Sequence, residues 1–144
     1  KAGTIANTTG TTVGTDMANV GYVVMAQSAA ITQSTTAAAS GIIIPAHSQI
    51  LEATVFVTTA YDNSATLSIG TSSSSTELAT AVAVSTINQI KLASQATITD
   101  ADNWLDVGAT DVKIFTDSSA TTSDVGRATL TVTYVQQISP GLTA

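Results

Sequence analysis

Cysteine is absent from all 144 residues, so the fold rests on no disulfide and offers no thiolate to a metal. Charge is nearly as scarce: 10% of residues are charged, against ~25% in ordinary soluble domains. The only cations are Lys1, Lys91, Lys113 and Arg127, and the net charge is −6. Such a chain has no basic patch with which to neutralise phosphates, which excludes nucleic acid as a partner. The longest apolar runs, residues 22–26 and 41–45, are far shorter than the ~20 residues of a membrane helix. The opening residues also lack the roughly 7–15-residue apolar core of a signal peptide. Histidine occurs once, as His47, and the chain contains no H-E-x-x-H, no G-x-S-x-G, no Walker loop and no G-x-G-x-x-G.

What the chain does contain is hydroxyl. Ser and Thr together supply 43 residues and Ala another 23, so hydroxyls must wet the surface where charges ordinarily would. Threonine is β-branched and suits a pleated surface, which favours an all-β protein. At this length one domain buries roughly 68–70% of its unfolded surface, enough to fold without metal or disulfide.

The pattern of residues agrees. In GRATLTVTYVQ (126–136), Ala128, Leu130, Val132 and Tyr134 fall on one side of a strand and Thr129, Thr131 and Thr133 on the other. Residues 50–59 alternate likewise, with Leu51, Ala53, Val55 and Val57 facing inward and Glu52, Thr54, Phe56 and Thr58 outward. Phe56 is thus expected to lie outside the main core. Further strands are expected over 22–33, 41–45, 65–70 (Leu67 and Ile69 on one face), 78–84, 88–94, 105–108 and 111–117. Turn signals separate them: Asp62 and Asn63, the polar run 71–76, the loop TITDADNW and the turn SSATTS. About eight short strands at these intervals predict an antiparallel β-sandwich. In 77–85 the spacing of Leu78, Ala81 and Val82 also fits a helical stripe. Residues 1–21, rich in glycine and without an apolar face, are expected to form an extended arm, read either as a loosely ordered terminus or as a segment that orders against a partner. The sandwich domain is expected over 22–138 and a short tail over 139–144.

Candidate chemistry is thin. His47 follows the strand-ending Pro45 and reads as a loop histidine, since a metal site would need carboxylates and a triad an oriented serine. Asp100, Asp102 and Asp106, with Asn103 among them, present oxygen donors at spacings that suit calcium. The glycine and distal glutamate of an EF-hand loop are missing, however, and the same residue types serve turns without any ion. Trp104 reads as a core anchor beside Leu105 and Val107; the alternative, a sugar-stacking platform, would need other aromatics nearby. Tyr22, Phe56 and Tyr61 are too few and too scattered for that. No catalytic residue and no cofactor emerges.

The order of segments is itself informative. A Gly/Thr-rich start, VGYVVMAQSAAITQS, IPAHSQILEATVFVTTAYD, TLSIGT, NWLDVGATDVKIF and GRATLTVTYVQ together resemble small virion proteins of tailed bacteriophages, the head decoration or cement proteins. The likeness spans roughly residues 20–136. It implies a jelly-roll-like sandwich, a non-enzymatic role on the capsid surface, the major capsid protein as partner, and self-association, commonly as a trimer. The alternative role is a receptor- or carbohydrate-binding module of a fibre or adhesin.

Overall fold

The structure, a computed structural model, describes residues 22–62, 64–92, 98–119 and 124–137. The expected arm over 1–21, the tail over 139–144 and the turn residue Asn63 lie outside them. These residues form eight strands: β1 Tyr22–Thr32, β2 Ala38–Ile44, β3 Ser48–Thr59, β4 Thr66–Gly70, β5 Ala79–Ala83, β6 Gln89–Leu92, β7 Val112–Ser118 and β8 Arg127–Gln137. Among the described residues there is one short helix, α1, Ile98–Leu105.

Pairing follows a simple rule. β1 pairs with β8, β2 with β7, β3 with β6 and β4 with β5, all antiparallel, as in one long hairpin whose two arms have been rolled up together. Rolling brings β3 against β8 and β4 against β7, giving two four-stranded sheets of order β1-β8-β3-β6 and β2-β7-β4-β5. This is jelly-roll topology, and the expected antiparallel β-sandwich is what the chain forms. Between the sheets lie Ile42, Ile44, Val55, Val57, Leu67, Ile69, Ile114, Leu130 and Val132, all fully buried or nearly so. Each such side chain contributes about 1.5–3 kcal/mol relative to an exposed position.

The alternation of β8 holds: Ala128, Leu130, Val132 and Tyr134 are buried, and Thr129, Thr131 and Thr133 lie half-buried on the outer face. In β3, Ala53, Val55 and Val57 face inward and Phe56 is 50% exposed, as expected. Leu51 is not inward. The pairing of β3 with β8 shifts between Ile50 and Glu52, so a bulge lets Ile50 take the core position and turns Leu51 out, 47% exposed.

The strand expected over 78–84 is present as β5, and the helical alternative over 77–85 is not taken: β5 pairs with β4 through a register shift, and Ala81 there has a φ of 52°. That bulge breaks strict alternation, which is why Leu78, Ala81 and Val82 mimicked a helical stripe. TITDADNW is not a loop: residues 98–105 form α1, whose Trp104 is buried with its indole N–H donating to the Glu77 carbonyl at 2.9 Å. Aspartates early in a helix suit its positive end. Residues 105–108 are not a strand. Leu105 ends the helix with its side chain exposed, and Asp106 and Gly108 form a turn in which Gly108 has a φ of 100°.

The two sheets are tied at their margins by side-chain amides. Gln27 of β1 donates to the Ile43 carbonyl at 2.6 Å and accepts from the Ile43 N–H at 3.1 Å, so one glutamine stands in for a strand along the β2 edge. Its Nε2 also donates to the Tyr134 hydroxyl at 2.8 Å.

Candidate functional site

His47 and the aspartates come together only in part. The His47 N–H donates to the Gly108 carbonyl at 2.8 Å, and its Nδ1 lies 3.6 Å from Asp106 Oδ2, both side chains well exposed. The Asp106 carboxylate also accepts from the Gly108 N–H at 2.9 Å, and its own N–H bonds the Asp102 carbonyl at 2.9 Å. Asp106 thus shapes the turn that ends α1. Asp102 is exposed on the helix, and the Asp100 side chain is outside the described residues. Alternate positions on a helix diverge around its axis, unlike those of an extended chelating loop. Among the described residues, no three His, Asp or Glu gather where they could hold a metal.

Buried polar chemistry serves cohesion. Gln33, 3% exposed, lies where the chain leaves β1, and its Oε1 accepts from the N–H groups of Asp62 at 3.2 Å and Gly126 at 3.1 Å. Its Nε2 donates to the Asp62 carboxylate. Tyr61 packs its ring on Gly126, where a Cβ would come within 2.4 Å of ring carbons. Burial pushes the Tyr61 hydroxyl up to about 12, an effect that Arg127 only partly opposes. Beside this clasp, the Ser118 hydroxyl accepts from the Ser34 N–H at 3.0 Å and donates to the Ser34 carbonyl at 2.8 Å. Sequence reading missed both glutamines, because an isolated Gln carries no periodic signal.

The outer faces differ in character. On the β8 sheet, Ser28, Thr131 and Thr54 lie side by side across three strands, with a Ser28–Thr131 hydroxyl bond of 2.7 Å and one ion pair, Lys91–Glu52, at 3.0 Å. Next to it a shallow groove runs between β3, β6 and α1, edged by the exposed Leu51 and Leu105 and floored by Ile50 and Trp104. On the β7 sheet, the polar loop after β4 folds back over Gly70, where any Cβ would meet the Ser75 carbonyl oxygen at 2.0 Å. Glu77 closes this loop, accepting from the Thr71 N–H and hydroxyl, each at 3.1 Å. Burial works against ionisation of Glu77, but hydrogen bonds from Ser75 and Thr71 outweigh it and hold the carboxyl below its ordinary value. Between the loop and β7 is a notch floored by Phe115. The signal for it was in DVKIFTD, whose alternation puts Lys113, Phe115 and Asp117 opposite the buried Ile114 and Thr116.

No protein-family model and no curated protein matches the sequence. The fold does have matches among solved structures. A chain of the "Cyanophage Pam1 capsid asymmetric unit" superposes with a TM-score of 0.59 at 18% identity, covering 81% of this chain and 86% of that one. A chain of the "Capsid of Ralstonia phage GP4" gives 0.58 at 16% identity, covering 81% and 86%. A third, from the "Acidic stable capsid structure of Helicobacter pylori bacteriophage KHP30", gives 0.58 at 12%, covering 78% and 87%. At these identities the likeness is one of fold.

Proposed function

We propose that this protein is a non-enzymatic structural component of a bacteriophage virion, a decoration or cement protein that binds the outside of the assembled head and reinforces it. The observation that carries this reading is the fold match along about four-fifths of the chain to chains from three phage capsids. In each case the paired coverages imply a matched chain of about this chain's own length, so the likeness is to a whole small subunit and not to one domain of a larger one.

The physical character of the chain supports the same role. Its buried polar groups hold the sandwich together, and its outer faces are rich in hydroxyls and poor in charge. Such surfaces attach by shape and hydrogen bonding, so attachment would depend little on salt. The partner in this reading is the major capsid protein. Repetition around a shell, and self-association as a trimer, would multiply weak single contacts into tight attachment. Residues 1–21 are assigned to that contact and not to the stability of the sandwich.

Purified particles of the phage that encodes the chain provide the test. Cryo-electron microscopy should place the sandwich on the outer shell surface, and shells lacking it should assemble yet fall apart at lower temperature. Deleting residues 1–18 should leave the melting temperature nearly unchanged and reduce co-sedimentation with shells. Absence of the chain from particles would overturn the reading, and undiminished binding by the truncated chain would remove the arm from it.

A further inference from the structure

The geometry points to a saccharide-binding notch on the outer face of the β7 sheet, formed by Phe115, Asp117 and the hydroxyls of the loop after β4, and shaped for one neutral hexopyranose ring. Three features of the notch carry this.

The first is an accessible aromatic floor. Phe115 is half-buried on the outer face of β7, and its cross-strand neighbours are Ala39 on one side and Gly70 on the other, the two smallest side chains available. Nothing bulky on the sheet covers the ring. The second is a wall. The folding back of the loop over Gly70 puts Ser73, Ser74 and Thr76 along one side of the notch, with Ala37 also lining it. Within the loop the Ser75 hydroxyl accepts from the Ser72 N–H at 2.8 Å, and the Ser72 hydroxyl accepts from the Ser74 N–H. Those two are spent on loop shape. The hydroxyls of Ser73, Ser74 and Thr76 are engaged by no described residue. The third is a carboxylate. Asp117 pairs with Ser68 in the sheet and lines the notch, and its side chain makes no hydrogen bond or ion pair with any described residue. Other half-buried acids here are committed: Glu77 to Thr71, and Glu52 to Lys91.

An aromatic face suits the C–H side of a pyranose. A carboxylate accepts strong, charge-assisted hydrogen bonds from sugar hydroxyls, and serine and threonine hydroxyls both donate and accept. A ring and a carboxylate could also receive an ammonium or guanidinium group. Lys113 disfavours that. It stands two residues from Phe115 on the same face, roughly 6.6 Å along the strand, and among the described residues it forms no ion pair that would neutralise it. A cation on the ring would face its repulsion, whereas a neutral sugar would not.

The test needs no capsid, so its outcome is separate from that of the attachment reading. The isotope-labelled full chain is titrated with the methyl glycosides of glucose, galactose and N-acetylglucosamine, and in parallel with N-acetyl-lysine amide. At least one glycoside should give saturable shifts at Phe115, Ser73 and Ser74. Asp117→Asn and Phe115→Leu should each weaken that binding about tenfold or more while leaving the melting temperature unchanged. The proposal is overturned if no glycoside perturbs the notch, if the shifts fall elsewhere, or if only the lysine amide binds there.

Discussion

The two sheets draw on the same hydroxyl-rich alphabet but differ in strand length and backbone strain. The β8 sheet has strands of 11, 11 and 12 residues beside a four-residue edge; its β3 shifts register against β8 at Ile50/Glu52 and at Val57/Thr59, yet among the described residues its strands contain no positive φ. The β7 sheet has strands of only seven and five residues, is bulged in β2 and β5, and holds both Gly41 and Ala81 at positive φ. Longer strands carry longer buried inner rows, which concentrates stability in the β8 sheet and the clasp at its end. Irregular strands leave room for a loop to fold back on the sheet, and the notch lies there. Bulged strands re-aim side chains and end pairing, and Ala81 does so at a sheet edge, where a straight strand would invite pairing with another chain.

Breaking the long-stranded sheet should have the largest effect. Val132→Asp puts an unpaired charge at a position with no exposure and should cost on the order of 4–5 kcal/mol, read from urea unfolding. An effect near zero would mean that β8 does not face inward. Next in size is the clasp. Gln33→Ala leaves the buried Gly126 N–H without its acceptor and should cost about 2–3 kcal/mol, whereas Gln27→Ala, at a less buried seam, should cost about 1 kcal/mol. Equal costs would deny that the clasp end matters more. On the β7 side, Gly70→Ala should displace the serine loop, with amide shifts confined to residues 71–77, and cost about 1 kcal/mol because a surface loop can yield.

Proton linkage gives the gentlest comparison. Tyr61 in the folded protein holds its proton to about pH 12, against an ordinary value of 10.0, so between these values the unfolded chain binds fewer protons. Stability from this source is complete below pH 10 and declines as pH rises toward 12. Glu77 behaves oppositely. Its carboxyl is held below the ordinary 4.5, so its contribution is present above that value and is lost as pH falls through the folded-state value. Tyr61→Phe should flatten the alkaline limb, and Glu77→Gln the acidic one, in melting curves taken across pH.

Alternation by itself fixed much of this protein. A period of two in 126–136 and 52–58 set the strands, their inner and outer faces and the outward Phe56, because side-chain direction in a strand is a local property. Composition likewise settled that hydroxyls, not charges, would wet the surface. Only the tertiary structure decided the rest, for a single kind of reason. The bulge that turns Leu51 out exists only in the pairing of β3 with β8, and the one at Ala81 only in the pairing of β5 with β4. The helix at Trp104 depends on the Glu77 carbonyl 27 residues away. Gln33 meets Gly126 across 93 residues, and Phe115 becomes a floor only because a loop from another strand closes over Gly70. Contacts between residues so distant in the chain leave no periodic trace in it.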